Sequence, residues 1–254
     1  MNMKEKIYTI PVNEAYEADC ACPLCHLADK LEREAVDYAL GAAMMEPDYR
    51  LESNEKGFCE KHFSMLYESP NKLSLGLILD THLAEIRKKF GEYEKDAAGL
   101  ADAKGGLFKK SDAAAFAERF ADKLQDIRQS CTICDSIAHT MKRYVDVLCY
   151  LWDNDPAFRE KFKNSHGVCI PHLETLISSA PKCLSKQKAG IFISELFSLE
   201  QAQLAALQED IHKFTLKFDY RNKDMEWGTA KNAPIRTVEK IAGSMGQAAD
   251  KTEE

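Results

Sequence analysis

Four residues of the kind that bind metal come round twice in this chain, in one order and at nearly one spacing. Cys22 and Cys25 return as Cys131 and Cys134 after 109 residues, and Cys59 and His62 return as Cys169 and His172 after 110. Between these anchors Pro47, Tyr49 and Arg50 fall opposite Pro156, Phe158 and Arg159. One inserted residue then sets GFCEKH at 57–62 against GVCIPH at 167–172, and Leu66 against Leu176. A lone CxxC is a weak signal, but sulfur and nitrogen ligands recurring as a set mark a tandem duplication. The division expected is a first helical metal-binding repeat at 1–100, a second at 101–218, and a C-terminal arm with a short helix at 219–254. The stretch DAAGLADAKGGLFKKSD, residues 96–112, has the composition of a connector between the copies.

In CxxC the two sulfurs lie close enough to grip one tetrahedral ion. When such a motif opens a helix, its sulfurs also face the unpaired amides of the first turn. Cys59 and His62, like Cys169 and His172, are three residues apart and so share one face of a helical turn. Gly57 and Gly167 stand just before them, where one helix ends in a left-handed turn and the next begins. The sequence order suggests that each copy closes its own site: Cys22, Cys25, Cys59 and His62 in the first, Cys131, Cys134, Cys169 and His172 in the second. Three cysteines and one histidine form the closed donor set of structural zinc, so two zinc ions are expected. An iron–sulfur cluster is the competing occupant, because three cysteines and one histidine can hold one and spacing does not separate the two.

CPLCH at 22–26 also fits the haem-attachment pattern CxxCH. Its counterpart is CTICD, with Asp135 where His26 stands, so duplication kept the four ligands and lost the would-be axial histidine. A thioredoxin-like dithiol needs a βαβ setting that this chain does not offer. Its apolar residues recur at steps of three and four: Leu24, Leu27, Leu31, Ala35, Tyr38 and Ala42 after the first CxxC, and Ile137, Met141, Tyr144, Leu148 and Trp152 after the second. Further stripes cover 73–93 (Leu79, Leu83, Ile86, Phe90, Tyr93), 113–127 (Phe116, Phe120, Leu124, Ile127) and 186–218 (Leu196, Leu204, Leu207, Ile211, Phe214, Phe218). These stripes are expected to be core, and no segment alternates as a strand does. The fold class expected is therefore all-α, each copy stapled by one metal site and the whole packed as one bundle-like body.

With 254 residues, 45% hydrophobic and 30% charged, the chain can bury a substantial core without a metal to compensate for small size. No apolar run approaches the ~20 residues that span a bilayer, and MNMKEKIYTIPVNEAYEADC has no continuous apolar stretch, so no membrane or export is expected. Nine cysteines in a cytoplasmic chain point to metal or redox chemistry rather than disulfides. Net charge is −7, with 12 Lys/Arg against 19 Asp/Glu in residues 1–100 and 22 of each thereafter. That balance lacks the basic footprint of a nucleic-acid binder.

The duplication also sorts the other thiols and imidazoles. Cys20, Cys149 and Cys183 face Gln129, Leu40 and the neighbourhood of Lys72, and so lie outside the repeated set. Cys149 is expected to be a small buried hydrophobe; Cys20, two residues before Cys22, is close enough to replace a ligand or to form a disulfide with one on oxidation, which makes a redox switch a minor alternative. His26, His82, His139, His166 and His212 have no counterparts and are expected to be surface or satisfied helix histidines; the alternative for His26 and His166, close in sequence to ligands, is to tune them. In the tail, FDYRNKDMEW at 218–227 is expected to lock an arm onto the body through Tyr220 and Trp227, with an Arg221 anion pocket as the alternative.

The tandem CPLC with GFCEKH and CTIC with GVCIPH, followed by FDYR and a downstream Trp, resembles an uncharacterised family of bacterial cytoplasmic helical proteins found largely among Firmicutes. The resemblance spans nearly the whole chain. It implies a bacterial source and eight metal ligands, and it lends no catalytic residue. Together these readings point to a non-catalytic zinc-binding scaffold for an unidentified protein or small-molecule partner. The alternative is a metal-thiolate enzyme or redox sensor.

Overall fold

The ligand motifs and prolines mark most of the helix starts. The computed structural model describes residues 7–101 and 113–245. Helix α1 spans Thr9–Glu17, α2 Pro23–Leu40, α3 Pro47–Lys56, α4 Glu60–Glu68, α5 Lys72–Ala101 and α6 Ala113–Gln129. They are followed by α7 Thr132–Asn154, α8 Pro156–Asn164, α9 Ile170–Cys183, α10 Lys186–Leu216 and α11 Ala233–Ala242. Short 3-10 turns occupy Ala42–Met45, Tyr220–Asn222 and Gly228–Asn232, and no strand occurs among the described residues. The class is all-α. Proline sits in the first turn of α2, α3, α8, α9 and α11, where its missing N–H costs nothing. Asp155 caps α8 by accepting from the amides of Ala157 and Phe158. Of the connector expected at 96–112, residues 96–101 continue α5 and the remainder lies outside the described residues.

The chain divides into two compact units. Residues 1–31 and 139–254 form one, and residues 32–138 the other. Both cuts fall inside a helix, α2 and α7. In the first unit the core is built from Leu24, Leu27, Leu148, Trp152, Phe158, Phe162, Leu176, Phe192 and Leu196. Phe192 meets Trp152 edge-on at 5.1 Å and Phe162 at 5.5 Å. Each such ring contributes ~1.5–3 kcal/mol through burial alone. In the second unit Val36, Leu40, Phe58, Leu66, Leu75, Ile78 and Ile133 form the core, and the partly buried Phe63 packs on Phe58.

Two expected stripes are displaced. On α5, Leu79, Leu83 and Phe90 are exposed, while Leu75, Ile78 and His82 are buried. This helix has apolar residues on more than one face, and the face holding His82 is the one drawn in, because the loop at Gly57 seats on that ring. On α10, Leu196 is buried but Leu204 is exposed, as is Phe218 just beyond the helix end.

The C-terminal arm is held by one of its two expected anchors, Trp227, and not by Tyr220. Tyr220 is 77% exposed, and Arg221 is taken up by its neighbour Asp219 through charge-assisted hydrogen bonds. What fastens the arm is Trp227 on Phe214 (5.6 Å), Arg236 on Asp210 (2.7 Å), and Lys240 paired with Glu200 in the interior. Because Phe192 is fully buried at the junction of α7, α8 and α10, Phe192→Ala should cost ~3–5 kcal/mol, read as a lowered midpoint in denaturant unfolding.

Candidate metal centres

All four ligand pairs share one local construction. α2 begins one residue after Cys22 and α7 one residue after Cys131, while α4 and α9 have Cys59 and Cys169 as their N-caps. The partner ligand stands three residues on, in the first turn: Cys25, Cys134, His62 and His172. In both CxxC motifs the amide of the second cysteine donates to the sulfur of the first, Cys25 N to Cys22 Sγ at 3.5 Å and Cys134 N to Cys131 Sγ at 3.4 Å. Sulfur here fills the capping role usually taken by oxygen. At Cys59 and Cys169 the sulfur makes no such bond, but all four cysteines stand at helix N-termini, whose partial positive charge favours thiolate.

The pairs close into two tetrads, and they do so crosswise. Cys22 and Cys25 join Cys169 and His172, whereas Cys131 and Cys134 join Cys59 and His62. The expectation that each copy closes its own site is therefore corrected. The reason is length. α2 has 18 residues and α7 has 23, or ~27 and ~35 Å at the α-helical rise. The return helices α3 and α8 have only 10 and 9 residues, ~14–15 Å. A CxxH motif cannot be carried back to the CxxC at the far end of so long a helix. Each CxxC is completed by the CxxH that its own unit contains.

In the first unit His172 Nδ1 lies 3.5 Å from Cys22 Sγ, 3.4 Å from Cys25 Sγ and 3.1 Å from Cys169 Sγ, and Cys25 Sγ lies 3.6 Å from Cys169 Sγ. In the second unit His62 Nδ1 lies 3.3 Å from Cys59 Sγ, 3.1 Å from Cys131 Sγ and 3.4 Å from Cys134 Sγ, with Cys59 and Cys134 Sγ 3.8 Å apart. A tetrahedron with metal–sulfur bonds of ~2.3 Å and a metal–nitrogen bond of ~2.0 Å has edges of about 3.5–3.8 Å. Three of these eight distances fall in that range and five are shorter, at 3.1–3.4 Å. They are far longer than the ~2.05 Å of a disulfide, and all nine cysteines are free thiols. The donor sets fit two metal ions.

The surroundings of the tetrads differ. His62 presents Nδ1 to the sulfurs and donates from Nε2 to Glu32 Oε1 at 3.0 Å, while Lys61 holds the same carboxylate at 2.6 Å. This is the outer carboxylate that fixes the tautomer and direction of a liganding histidine. Burial pulls the His62 pKa down, against the opposing pull of Glu32, which favours the neutral ring that a metal needs. Burial acts in the same sense on His172, but the sulfurs of Cys169 and Cys22 outweigh it and hold its pKa up at about 9. Sequence reasoning missed Glu32, because the residue 109 positions on, at the spacing of the CxxC motifs, is Met141. The first tetrad has a different outer partner: the amide of Ser244 donates to Cys25 Sγ at 3.4 Å, and its hydroxyl bonds Asp29 at 2.6 Å.

Gly57 (φ 67) and Gly167 (φ 72) carry the chain into the two CxxH helices. A Cβ on Gly57 would lie 2.3 Å from His82 Nε2, and one on Gly167 2.3 Å from Glu200 Oε1. His82 is buried and satisfied by the Asn54 carbonyl at 2.8 Å. Glu200 accepts from the Val168 amide and pairs with Lys240, which also donates to the His166 carbonyl. In the second unit Thr132 N donates to the Gly57 carbonyl at 3.1 Å, and Ser130 Oγ to the Lys56 carbonyl at 2.6 Å. Pro23 occupies the place of Thr132 in the first copy and has no N–H to give.

The remaining candidates stand apart from the tetrads. Cys149 is fully buried, as expected of a small hydrophobe. Cys20 is half-buried and donates to the Ala15 carbonyl at 3.7 Å, with burial pushing its thiol up to about 11. Cys183 donates to Asp146 at 3.1 Å. His26, His139 and His212 are exposed, and His166 faces Asp19 at 3.2 Å rather than a ligand.

The motif order, the all-helical frame and the paired tetrads belong to one continuous match, which runs from residue 3 to residue 248. The chain belongs to DUF6062, a family of unknown function. Both tetrads and the residues of the arm that touch Cys25 lie within that family region. No curated protein and no solved structure matches the chain.

Crossed pairing has a direct test in metal stoichiometry after loading with zinc. The double variant Cys22→Ser with Cys169→Ser should lose one ion and keep the other, since both residues serve one tetrad; pairing within each copy would have it lose both. Gly57→Ala and Gly167→Ala should each cost ~1–3 kcal/mol, measured as a fall in thermal midpoint.

Proposed function

We propose that the protein is a zinc-stapled helical scaffold, with one zinc ion held by Cys22, Cys25, Cys169 and His172 and a second by Cys59, His62, Cys131 and Cys134. The observation that carries this reading is the closure of all eight residues into two tetrads of tetrahedral size at helix N-termini. Bound there, each ion would supply structural cross-linking, tying two helix starts that sequence leaves far apart. The chain's own residues do the rest. Helix amides and dipoles offset the thiolate charge, Glu32 orients His62, and Gly57 and Gly167 admit the turns that aim Cys59 and Cys169.

The same geometry supports a duplicated ancestry in which the copies have exchanged halves. Each unit takes its CxxC from one copy and its CxxH from the other. Free thiols at all nine cysteines suit a reducing cytoplasm; no helix among the described residues is long and apolar enough to cross a membrane. A scaffold role with a protein or small-molecule partner is supported by closed donor sets and by the apolar residues that α5 leaves exposed, Leu73, Leu79, Leu83 and Phe90.

Elemental analysis of anaerobically purified protein should give two zinc ions per chain; iron with acid-labile sulfide in stoichiometric amount would replace zinc by a cluster. Chelation followed by circular dichroism should lower the melting temperature and helicity together. Unchanged melting after complete metal removal would overturn the structural role.

A further inference from the structure

We propose that the two tetrads are unequal, and that Cys134 is the point at which peroxides and soft electrophiles attack the protein, releasing the ion of the second unit while the C-terminal arm protects that of the first. The proposal rests on the zinc reading above and deepens it.

In the first tetrad every sulfur is buried: Cys22 is 4% exposed, Cys25 8% and Cys169 0%. The arm lies directly on them. Gly243 takes φ 93, and a Cβ there would sit 3.8 Å from Cys25 Sγ and 3.9 Å from Cys169 Sγ, so the arm passes beside both sulfurs with room for little more than one methyl group between. Ser244 then gives its amide to Cys25 Sγ and its hydroxyl to Asp29. One turn back, the buried Lys240 is anchored by Glu200 and the His166 carbonyl, so the cover is tied down at two points. An N–H···S bond withdraws charge from a thiolate and makes it a poorer nucleophile.

The second tetrad is open on one side. Cys131 and His62 are buried, but Cys134 is exposed and Cys59 is half-buried. Their sulfurs are 3.8 Å apart. A zinc-bound thiolate needs no base, because it has already lost its proton. The exposed sulfur of Cys134 attacks one oxygen of a hydroperoxide: an S–O bond forms, the O–O bond breaks, and the other oxygen leaves with the electron pair as alkoxide or hydroxide. Cys59 Sγ then attacks the Cys134 sulfenic sulfur, an S–S bond forms, and hydroxide leaves. Two protons from the buffer neutralise the two leaving oxyanions. The thiolates have together given two electrons to the peroxide, and only Cys131 and His62 would be left to hold an ion. A haloacetamide reacts at the same sulfur by forming S–C and expelling halide.

Full-length protein shown by elemental analysis to hold two zinc ions would be titrated with hydrogen peroxide beside a chromogenic zinc chelator, and its thiols mapped by iodoacetamide and peptide mass spectrometry. The first equivalent of peroxide should release one ion and leave a Cys59–Cys134 disulfide, with Cys22, Cys25 and Cys169 intact. Among the ligand cysteines, Cys134 should be alkylated first. Cys134→His, which removes the thiol, should abolish the Cys59–Cys134 disulfide and leave the alkylation of Cys22, Cys25 and Cys169 unchanged. Ser244→Pro, which removes the amide donor, should raise alkylation at Cys25 by about threefold to tenfold. Equal release of both ions, or alkylation of Cys25 or Cys169 ahead of Cys134, overturns the proposal. Absence of zinc in the initial analysis strikes the scaffold reading instead, and the order of alkylation still judges the accessibility of Cys134.

Discussion

The metal centres lean on one constraint, a cysteine placed at the start of a helix. It recurs four times, at Cys22, Cys131, Cys59 and Cys169, and at Cys22 and Cys131 the sulfur also accepts the amide three residues on. Each time the residue three positions on is the second ligand. A helix N-terminus offers unpaired N–H groups and a partial positive charge, so it favours the anion that a soft metal requires. The same turn sets the distance between the two ligands. Once two such starts face each other, four donors fall at the corners of a tetrahedron without distortion of either helix.

The length of the helices then decides which starts can meet. α2 and α7 run on well past the reach of the short helices that follow them. Each CxxC is consequently served by a CxxH distant in sequence, Cys22 and Cys25 by Cys169 and His172, and Cys131 and Cys134 by Cys59 and His62. The first tetrad joins residues about 150 apart and the second residues about 72 apart. Folding of either unit therefore depends on long-range closure, and the metal would sit at the point where that closure is made.

Similar tetrads have acquired dissimilar surroundings. Glu32 steadies His62 in one, where Met141, 109 positions on, offers no hydrogen bond. The arm covers the other through Gly243 and Ser244. Beneath the matched glycines lie His82 in one unit and the Glu200–Lys240 pair in the other. The conformation shared by the two loops is required by the ligands, whereas the residues that support it differ because each unit fills that space from a different stretch of chain.

From the sequence alone the helical class, the identities of the eight ligand-type residues and the need for left-handed glycines at 57 and 167 were legible, because each is a local matter of periodicity, spacing or backbone sterics. Glu32, Ser244 and Lys240 were not, since none belongs to the repeated pattern and each acts across a long sequence separation. The same holds for the α5 face, where two apolar stripes competed and the seat beneath Gly57 chose between them. Pairing of the ligands was decided only in three dimensions. Spacing records how much chain separates two motifs, and the rigidity of an 18- or 23-residue helix determines where that chain can deliver them.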